Sequence, residues 1–105
     1  MKYMIKVSYL AEGARGLLKD GGTARRAVVE KSAASIGGKV EAFYYAFGED
    51  DAYVIVDVPD STSALSLALA VNASGAIRLT TIPLITVEEM DAACHKTVAY
   101  RAPGA

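Results

Sequence analysis

The sequence has 105 residues, eleven basic and twelve acidic side chains, a formal net charge of -1 and one cysteine. A chain of this length forms one domain that buries roughly two thirds of the surface its unfolded form exposes. A single cysteine excludes an intrachain disulfide and a cysteine-rich zinc scaffold, and with no signal-peptide pattern we expect a cytoplasmic protein. The balanced charge offers no general attraction to phosphate backbones or anionic lipids, so we expect neither nucleic acid nor membrane as a partner.

Hydrophobic periodicity, glycines, prolines and capping residues predict seven main elements and one short helical piece. The first half of the chain contains a strand at Lys2–Leu10, the helical piece at Glu12–Asp20, a helix from its cap Thr23 to Ile36, and a strand at Lys39–Phe47. The second half contains a strand at Ala52–Val58, a helix from its cap Asp60 to Ser74, a strand at Ile77–Ile85, and a helix from the capping box Thr86–Glu89 to about Lys96.

These elements predict one domain over residues 1–98 and a flexible tail over residues 99–105. The strand and helix order is the βαββαβ pattern of the ferredoxin-like sandwich, an α+β fold, with an additional C-terminal helix. Right-handed crossovers give a four-stranded antiparallel sheet of order 4-1-3-2. Both main helices then lie on one face of the sheet, and the other face is left open.

A tight turn at Gly48–Asp51 would pair Phe47 with Ala52, Tyr45 with Val54 and Phe43 with Val56 on the helix-packed face. The open face would then carry a mixed set of side chains. Its polar members include Lys6, Ser8, Tyr44, Asp57, Arg78 and Thr80, and its apolar members include Ala42, Ala46, Ile55 and Ile82, with Tyr53 beside them.

An apolar surface of this size usually marks a binding site, and a second copy related by a two-fold axis is the simplest cover. We expect a homodimer or higher homo-oligomer whose cavity binds a small organic molecule and is compatible with cofactor-free chemistry. The candidate ligand-binding residues are Lys6, Ser8, Tyr44, Asp57 and Arg78, with Tyr44 as hydrogen-bond donor and Arg78 as anion partner. No catalytic residue, cofactor or metal site is predicted. In the alternative, Lys6 and Asp57 form a cross-strand ion pair, and the chain is a non-enzymatic structural or regulatory association module.

Three other positions have ordinary explanations that we favour. Arg25 is expected to extend along the apolar stripe of its helix towards solvent, and His95 to lie on the surface near Asp91 at a helix end. Cys94 is expected to be a small buried apolar residue. An RNA platform on Tyr44 and Tyr53 is disfavoured by the acidic turn before the third strand.

The stretch Gly37–Asp51 resembles the GYD domain family, and the likeness extends over nearly the whole chain. Further matching stretches are Ser8–Tyr9, Glu12–Gly13, Leu17–Leu18, Thr23–Glu30, Ile55–Asp57 with Pro59–Asp60, Ala68–Gly75 and Thr80–Glu89. In the acidic turn Gly48 and Asp51 agree with the family, whereas Asp50 stands where a tyrosine or another residue is usual. The resemblance implies a bacterial ferredoxin-like chain of the dimeric α+β barrel type, without an established activity and without catalytic residues to carry over.

Overall fold

A computed structural model describes all 105 residues of the chain. It contains four strands and four helices. In chain order they are β1 (Lys2–Tyr9), α1 (Ala11–Asp20), α2 (Gly22–Ser35), β2 (Lys39–Tyr45), β3 (Ala52–Asp57), α3 (Ser61–Ala73), β4 (Ile77–Pro83) and α4 (Val87–Cys94).

The four strands form one antiparallel sheet in the order β2-β3-β1-β4. Read from the other edge, this is the predicted order 4-1-3-2, so the α+β ferredoxin-like prediction is confirmed. The two central strands, β1 and β3, are adjacent. Pro83 ends the edge strand β4, where a residue without an N–H interrupts no hydrogen bonding between the central strands.

The core lies on one face of the sheet only. Alternate residues of the central strands point into it, as the period of two predicts, and α2 and α3 cover them. The buried apolar residues of this core are Tyr3, Ile5, Val7, Ala52, Val54, Val56, Val58 and Ala64, and Val29, Ile36 and Leu67 of the helical layer pack against them.

The hairpin between β2 and β3 has a different register from the predicted one. Tyr45, not Phe47, lies opposite Ala52, and Phe43 lies opposite Val54. The turn is longer than expected because the Ala46 amide donates to the Asp51 carbonyl at 2.8 Å, which closes the loop two residues earlier. A shift of two residues preserves which face each strand residue occupies, so the predicted division of the strands into packed and open faces is confirmed. Phe47 is the exception, because it lies in the longer turn and is fully exposed, so its predicted place on the packed face is wrong.

The start of α2 also differs from the prediction. Gly21 with φ 84°, not Thr23, is the N-cap residue, and no side chain caps this helix. A positive φ costs glycine little, so the chain can turn at Gly21 and begin α2 one residue after α1 ends.

The two predicted caps further along the chain are confirmed. The Asp60 carboxylate accepts a hydrogen bond from the Ser63 amide at 2.8 Å, and Thr86 and Glu89 form a reciprocal capping box at the start of α4. Helix α4 is exposed along its whole length, so it does not cover α3. Leu65 and Leu69 of α3 therefore remain exposed.

Candidate functional site

The open face is the set of strand side chains that point away from the helices. Directly opposed residues of antiparallel strands point the same way, so the register arranges this face in four rows. From one end to the other, the rows are Arg78 with Ser8; Thr80, Lys6, Tyr53 and Tyr44; Ile82, Met4, Ile55 and Ala42; and Lys2, Asp57 and Lys39. An apolar row therefore lies between polar rows at the two ends.

At the Ser8 end, the polar side chains converge on Asp50. Lys6 Nζ lies 3.4 Å from Asp50 Oδ2, Ser8 Oγ donates to Oδ1 at 3.2 Å, and the Tyr53 hydroxyl donates to Oδ2 at 3.4 Å. The Asp50 side chain is only 15% exposed. A charged acceptor that binds three donors from two strands fixes their positions relative to one another.

Sequence reasoning missed Asp50 as the centre of this cluster. Its position became central because the β2–β3 turn folds against the end of β1: the Asp51 amide donates to the Val7 carbonyl at 2.8 Å, and Asp51 Oδ2 accepts from the Tyr9 amide at 2.7 Å. The adjacent acids Asp50 and Asp51 in a turn between strands were the available signal, because their carboxylates can accept hydrogen bonds from donors at the end of a neighbouring strand.

Asp57 lies at the other end of the open face and does not contact Lys6, so the cross-strand pair expected between them is wrong. The register places Asp57 opposite Lys2, while Lys6 lies opposite Tyr53, four residues further along β1. Asp57 accepts from the N-terminal ammonium of Met1 at 3.2 Å and lies 3.9 Å from Lys2 Nζ. The bond from the ammonium group holds the pKa of Asp57 below its ordinary value, and the positive charge of Lys2 adds to the effect.

Lys2 also bonds Glu41, the residue inserted at the bulge in β2. This bond raises the pKa of Lys2 above its ordinary value; loss of solvent contact opposes the rise, and the negative charges of Glu41 and Asp57 add to it. Lys2 and Asp57 are therefore paired with each other, with Glu41 and with the chain terminus, whereas Lys39, opposite Asp57, has no carboxylate within 4.0 Å.

Tyr44 and Arg78 are different, because no hydrogen bond or ion pair within the chain involves either side chain. Tyr44 is 72% exposed, and Arg78 is also exposed beside Ser8. Of the five predicted site residues, the structure brings Lys6 and Ser8 together on Asp50 and separates Asp57 from the other four. Tyr44 and Arg78 lie at the same end as Lys6 and Ser8 but on the two opposite edge strands, β2 and β4.

The open face of a single chain is not a closed pocket at the Ser8 end. A depression of about 500 Å³ lies instead between α2 and α3 on the helical side, where Arg25, Ile36, Leu67 and Ile77 contribute to its lining. Asp57 borders two smaller depressions of about 370 and 350 Å³.

The remaining singled-out residues lie away from the open face. Arg25 is half-buried in the groove between α2 and α3 without a carboxylate partner. His95 is exposed, as predicted, but its Nδ1 contacts the Asp91 backbone carbonyl at 2.7 Å and not the carboxylate. Cys94 is exposed, so the expectation of burial is wrong, because α4 does not pack on the core.

No group of three or more His, Cys, Asp or Glu side chains is arranged to hold a metal ion. None of the four helices combines the length and apolarity needed to cross a bilayer.

A four-stranded antiparallel sheet with its helices on one side and a mixed open face on the other defines a ferredoxin-like α+β domain. The family model of the GYD domain matches residues 3–94. The chain therefore belongs to the GYD domain family, as its resemblance to that family indicated. No curated protein and no solved structure shows significant similarity to it.

Proposed function

We propose that the chain forms a homodimer through its open face and binds, in the cavity so enclosed, a small organic molecule with an anionic group. The observation that carries this proposal is a charge imbalance. Of the four cations on the open face, Lys2 and Lys6 lie beside carboxylates, whereas Lys39 and Arg78 have none within 4.0 Å. Lys39 lies opposite Asp57 at the far end of the face, so Arg78 is the unpaired cation at the Ser8 end. An unpaired guanidinium favours a carboxylate or phosphate group, which it can bind through two parallel hydrogen bonds.

The apolar row supports binding of the remainder of such a molecule. Ile82 lies four residues from Arg78 on the same face of β4, a distance of about 13 Å at the rise of a strand. Met4 and Ile55 extend this row across the central strands. A ligand with its anion at Arg78 and its apolar body over Met4 and Ile55 would match both features, with the free Tyr44 hydroxyl as a hydrogen-bond donor.

We propose a second copy as the cover because the open face exposes apolar side chains beside side chains of both charges. Tyr44 is 72% and Ile82 38% exposed in the single chain. Two-fold packing lets the same residues of both copies cover one another, and the polar end rows would leave space between the sheets at the positions of Arg78 and Tyr44.

The test uses benzoate, phenylacetate and hexanoate as probes, titrated into the ¹⁵N-labelled protein and followed by amide chemical shifts. We expect shifts at Ser8, Tyr53 and Arg78, and an affinity at least about tenfold weaker in Arg78→Gln, because a charge-assisted bond contributes about 1.5–3 kcal/mol. The matched control is Arg15→Gln, a change at an exposed arginine of α1. Shifts confined to other surfaces, or an affinity unchanged in Arg78→Gln, would contradict the proposed site.

A second candidate function is supported by the Asp50 cluster. Lys6, Ser8 and Tyr53 each already have a partner in Asp50, which suits residues that fix the register of an interface and bind nothing else. For such an association module, Tyr44→Phe and Arg78→Gln would change the dimer dissociation constant, while the three carboxylates would produce no shifts on the open face in either variant or in the unmodified protein.

A further inference from the structure

No hydrogen bond or ion pair joins the C-terminal arm, residues 85–105, to the rest of the chain. Every one of its residues is exposed, and its hydrogen bonds are all internal. Its only regular element is α4, eight residues long. An isolated helix of that length is not stable in water, so α4 needs a surface to pack on.

The arm is rich in exposed apolar side chains. Val87, Met90 and Cys94 follow one another at spacings of three and four residues and so form one stripe of α4. The large apolar residues of the arm are Ile85, Val87, Met90, Val98 and Tyr100, each at least 56% exposed. A segment that was only a solvated tail would not concentrate such residues.

The arm leaves the domain at the rim of the open face. The Leu84 amide donates to the Lys2 carbonyl at 2.9 Å, and Thr86 and Glu89 border the same depression as Lys2 and Asp57. From there the chain extends outward: the longest dimension is 57 Å and the radius of gyration 17.0 Å, compared with about 13 Å for a compact chain of this length. The arm thus begins on the side where the second copy is proposed to pack.

The arm would enlarge the contact that the open face can make. Four strands of this length span about 20 Å in each direction, on the order of 400 Å² in projection, and the accessible surface of the side chains on them is larger than that. A stable dimer buries about 800 Å² of accessible surface on each partner. An exchanged arm with five large exposed apolar side chains adds apolar area to what the open face supplies.

Charge complementarity concerns the part of the arm that follows α4. The helix itself carries three carboxylates, Glu88, Glu89 and Asp91, whereas Lys96 and Arg101 come after it and have no carboxylate side chain within 4.0 Å. In the acidic β2–β3 turn, Glu49 has no cation within 4.0 Å. In one chain the arm begins beside Lys2 and the turn lies beside Val7, at opposite ends of the sheet, so two copies packed in opposite directions would bring the basic end of one arm towards the acidic turn of the other.

We propose that the C-terminal arm of each copy packs on the body of the other, with the Val87–Met90–Cys94 stripe as its anchor. This inference rests on the open-face homodimer proposed above. It adds an exchanged segment that would enclose the rim of the cavity, so that each site is completed by the second chain.

The experiment places a benzophenone photo-crosslinker on the arm, at Thr97→Cys in a Cys94→Ala background, so that one thiol is present and position 94 stays apolar. Equal amounts of ¹⁴N and ¹⁵N protein are unfolded in urea, refolded together and irradiated, and the cross-linked peptides are identified by mass spectrometry. We expect about half of the arm-to-body cross-links to join a ¹⁴N peptide to a ¹⁵N peptide. Cross-links within single isotopes only, or none to any body residue, would overturn the arm exchange.

A second measurement separates this inference from the dimer itself. In sedimentation equilibrium, we expect the double variant Val87→Ser/Met90→Ser to raise the dimer dissociation constant at least tenfold, and the control Glu88→Gln to leave it within about twofold. A dimer unaffected by the double variant would overturn the arm exchange while preserving the open-face dimer. A protein that is monomeric in all forms would overturn both proposals.

Discussion

Two glycines in α1 show how far a single side-chain atom can matter in this fold. A Cβ at Gly13 would overlap the backbone carbonyl of Ala76, at the point where the Leu10 amide bonds that carbonyl. A Cβ at Gly16 would meet no atom within 4 Å. The close approach of α1 to the start of β4 therefore requires glycine at one position and not at the other.

We expect Gly13→Ala to destabilise the protein by at least 1–2 kcal/mol, roughly the cost of backbone displacement in a packed region. In contrast, Gly16→Ala should stabilise it by about 0.5–1 kcal/mol, because alanine is the better residue in a helix interior. Urea unfolding of the two variants provides the comparison, since both gain the same helix propensity. Equal effects of the two substitutions would show that the contact with Ala76 does not constrain the chain.

At Asp57, the low pKa links stability to pH. The carboxylate is bound by the Met1 ammonium in the folded state, so the unfolded state takes up a proton at a higher pH than the folded state does. The stabilisation is thus complete above the ordinary pKa of 3.8 and is lost as the pH falls below it. We expect Asp57→Asn to reduce the loss of stability between pH 5 and pH 3 in urea unfolding curves.

The remaining acid dependence in that variant should come in part from Asp60, whose pKa is lowered by the hydrogen bond from the Ser63 amide. Curves for Asp57→Asn that run parallel to those of the unmodified protein over the whole range would show that the ammonium contact is absent in solution.

Among the elements, the β2–β3 turn is held in place by the contacts of Asp50 and Asp51 with neighbouring strands more than by the hydrogen bond between Ala46 and Asp51 that closes it. Asp51 joins the turn to Val7 and Tyr9, and Asp50 gathers Lys6, Ser8 and Tyr53. The turn and β1 are therefore one polar unit, although they lie more than forty residues apart in the chain.

We expect Asp50→Ala to lower the unfolding free energy by about 1–3 kcal/mol, because it leaves the half-buried Lys6 and the hydroxyl of Ser8 without their acceptor. Glu49→Ala, in the same turn but exposed and unpaired, should change it by less than about 0.5 kcal/mol. Thermal or urea unfolding measures both. A loss no larger for Asp50 than for Glu49 would mean that the cluster does not fasten the turn.

The elements also show which parts of the structure were accessible from the sequence. Alternation in Tyr3–Val7 and Ala52–Val56 predicted the buried face, and Asp60 and Thr86 predicted two helix starts, because these signals are local. The predicted hairpin register was wrong because the turn is fixed by a bond from the Asp51 amide to the Val7 carbonyl of β1, a partner distant in sequence.

The candidate site was predicted less well than the fold for the same reason. Lys6, Ser8, Tyr44 and Arg78 were placed on the correct face by periodicity, yet their partners depend on the register and on the path of the turn. Asp57 lies opposite Lys2, four residues before Lys6 on β1. Periodicity within one strand gives the face of a side chain but not its partner on the next strand, so it could not predict this separation. Similarly, the exposure of Cys94 depends on where α4 packs, which local pattern does not reveal.

For the whole molecule, several features without a partner in one chain lie on the side of the open face. The unpaired Arg78 and the C-terminal arm that begins beside Lys2 are exposed, and the apolar row of the open face is half-buried except for the exposed Ile82. A single chain with its helices on only one face of the sheet leaves this side without a second layer. The proposed homodimer supplies that layer from the chain itself, and the proposed ligand supplies the anion for Arg78.

Native mass spectrometry of the protein, purified gently from its expression host, tests the ligand-binding homodimer, because one spectrum reports subunit number and retained small molecules together. We expect a species of twice the 11.0 kDa chain mass that carries additional mass from an organic acid. A spectrum containing only the single chain, at concentrations up to about 100 μM where a specific dimer is populated, would contradict it.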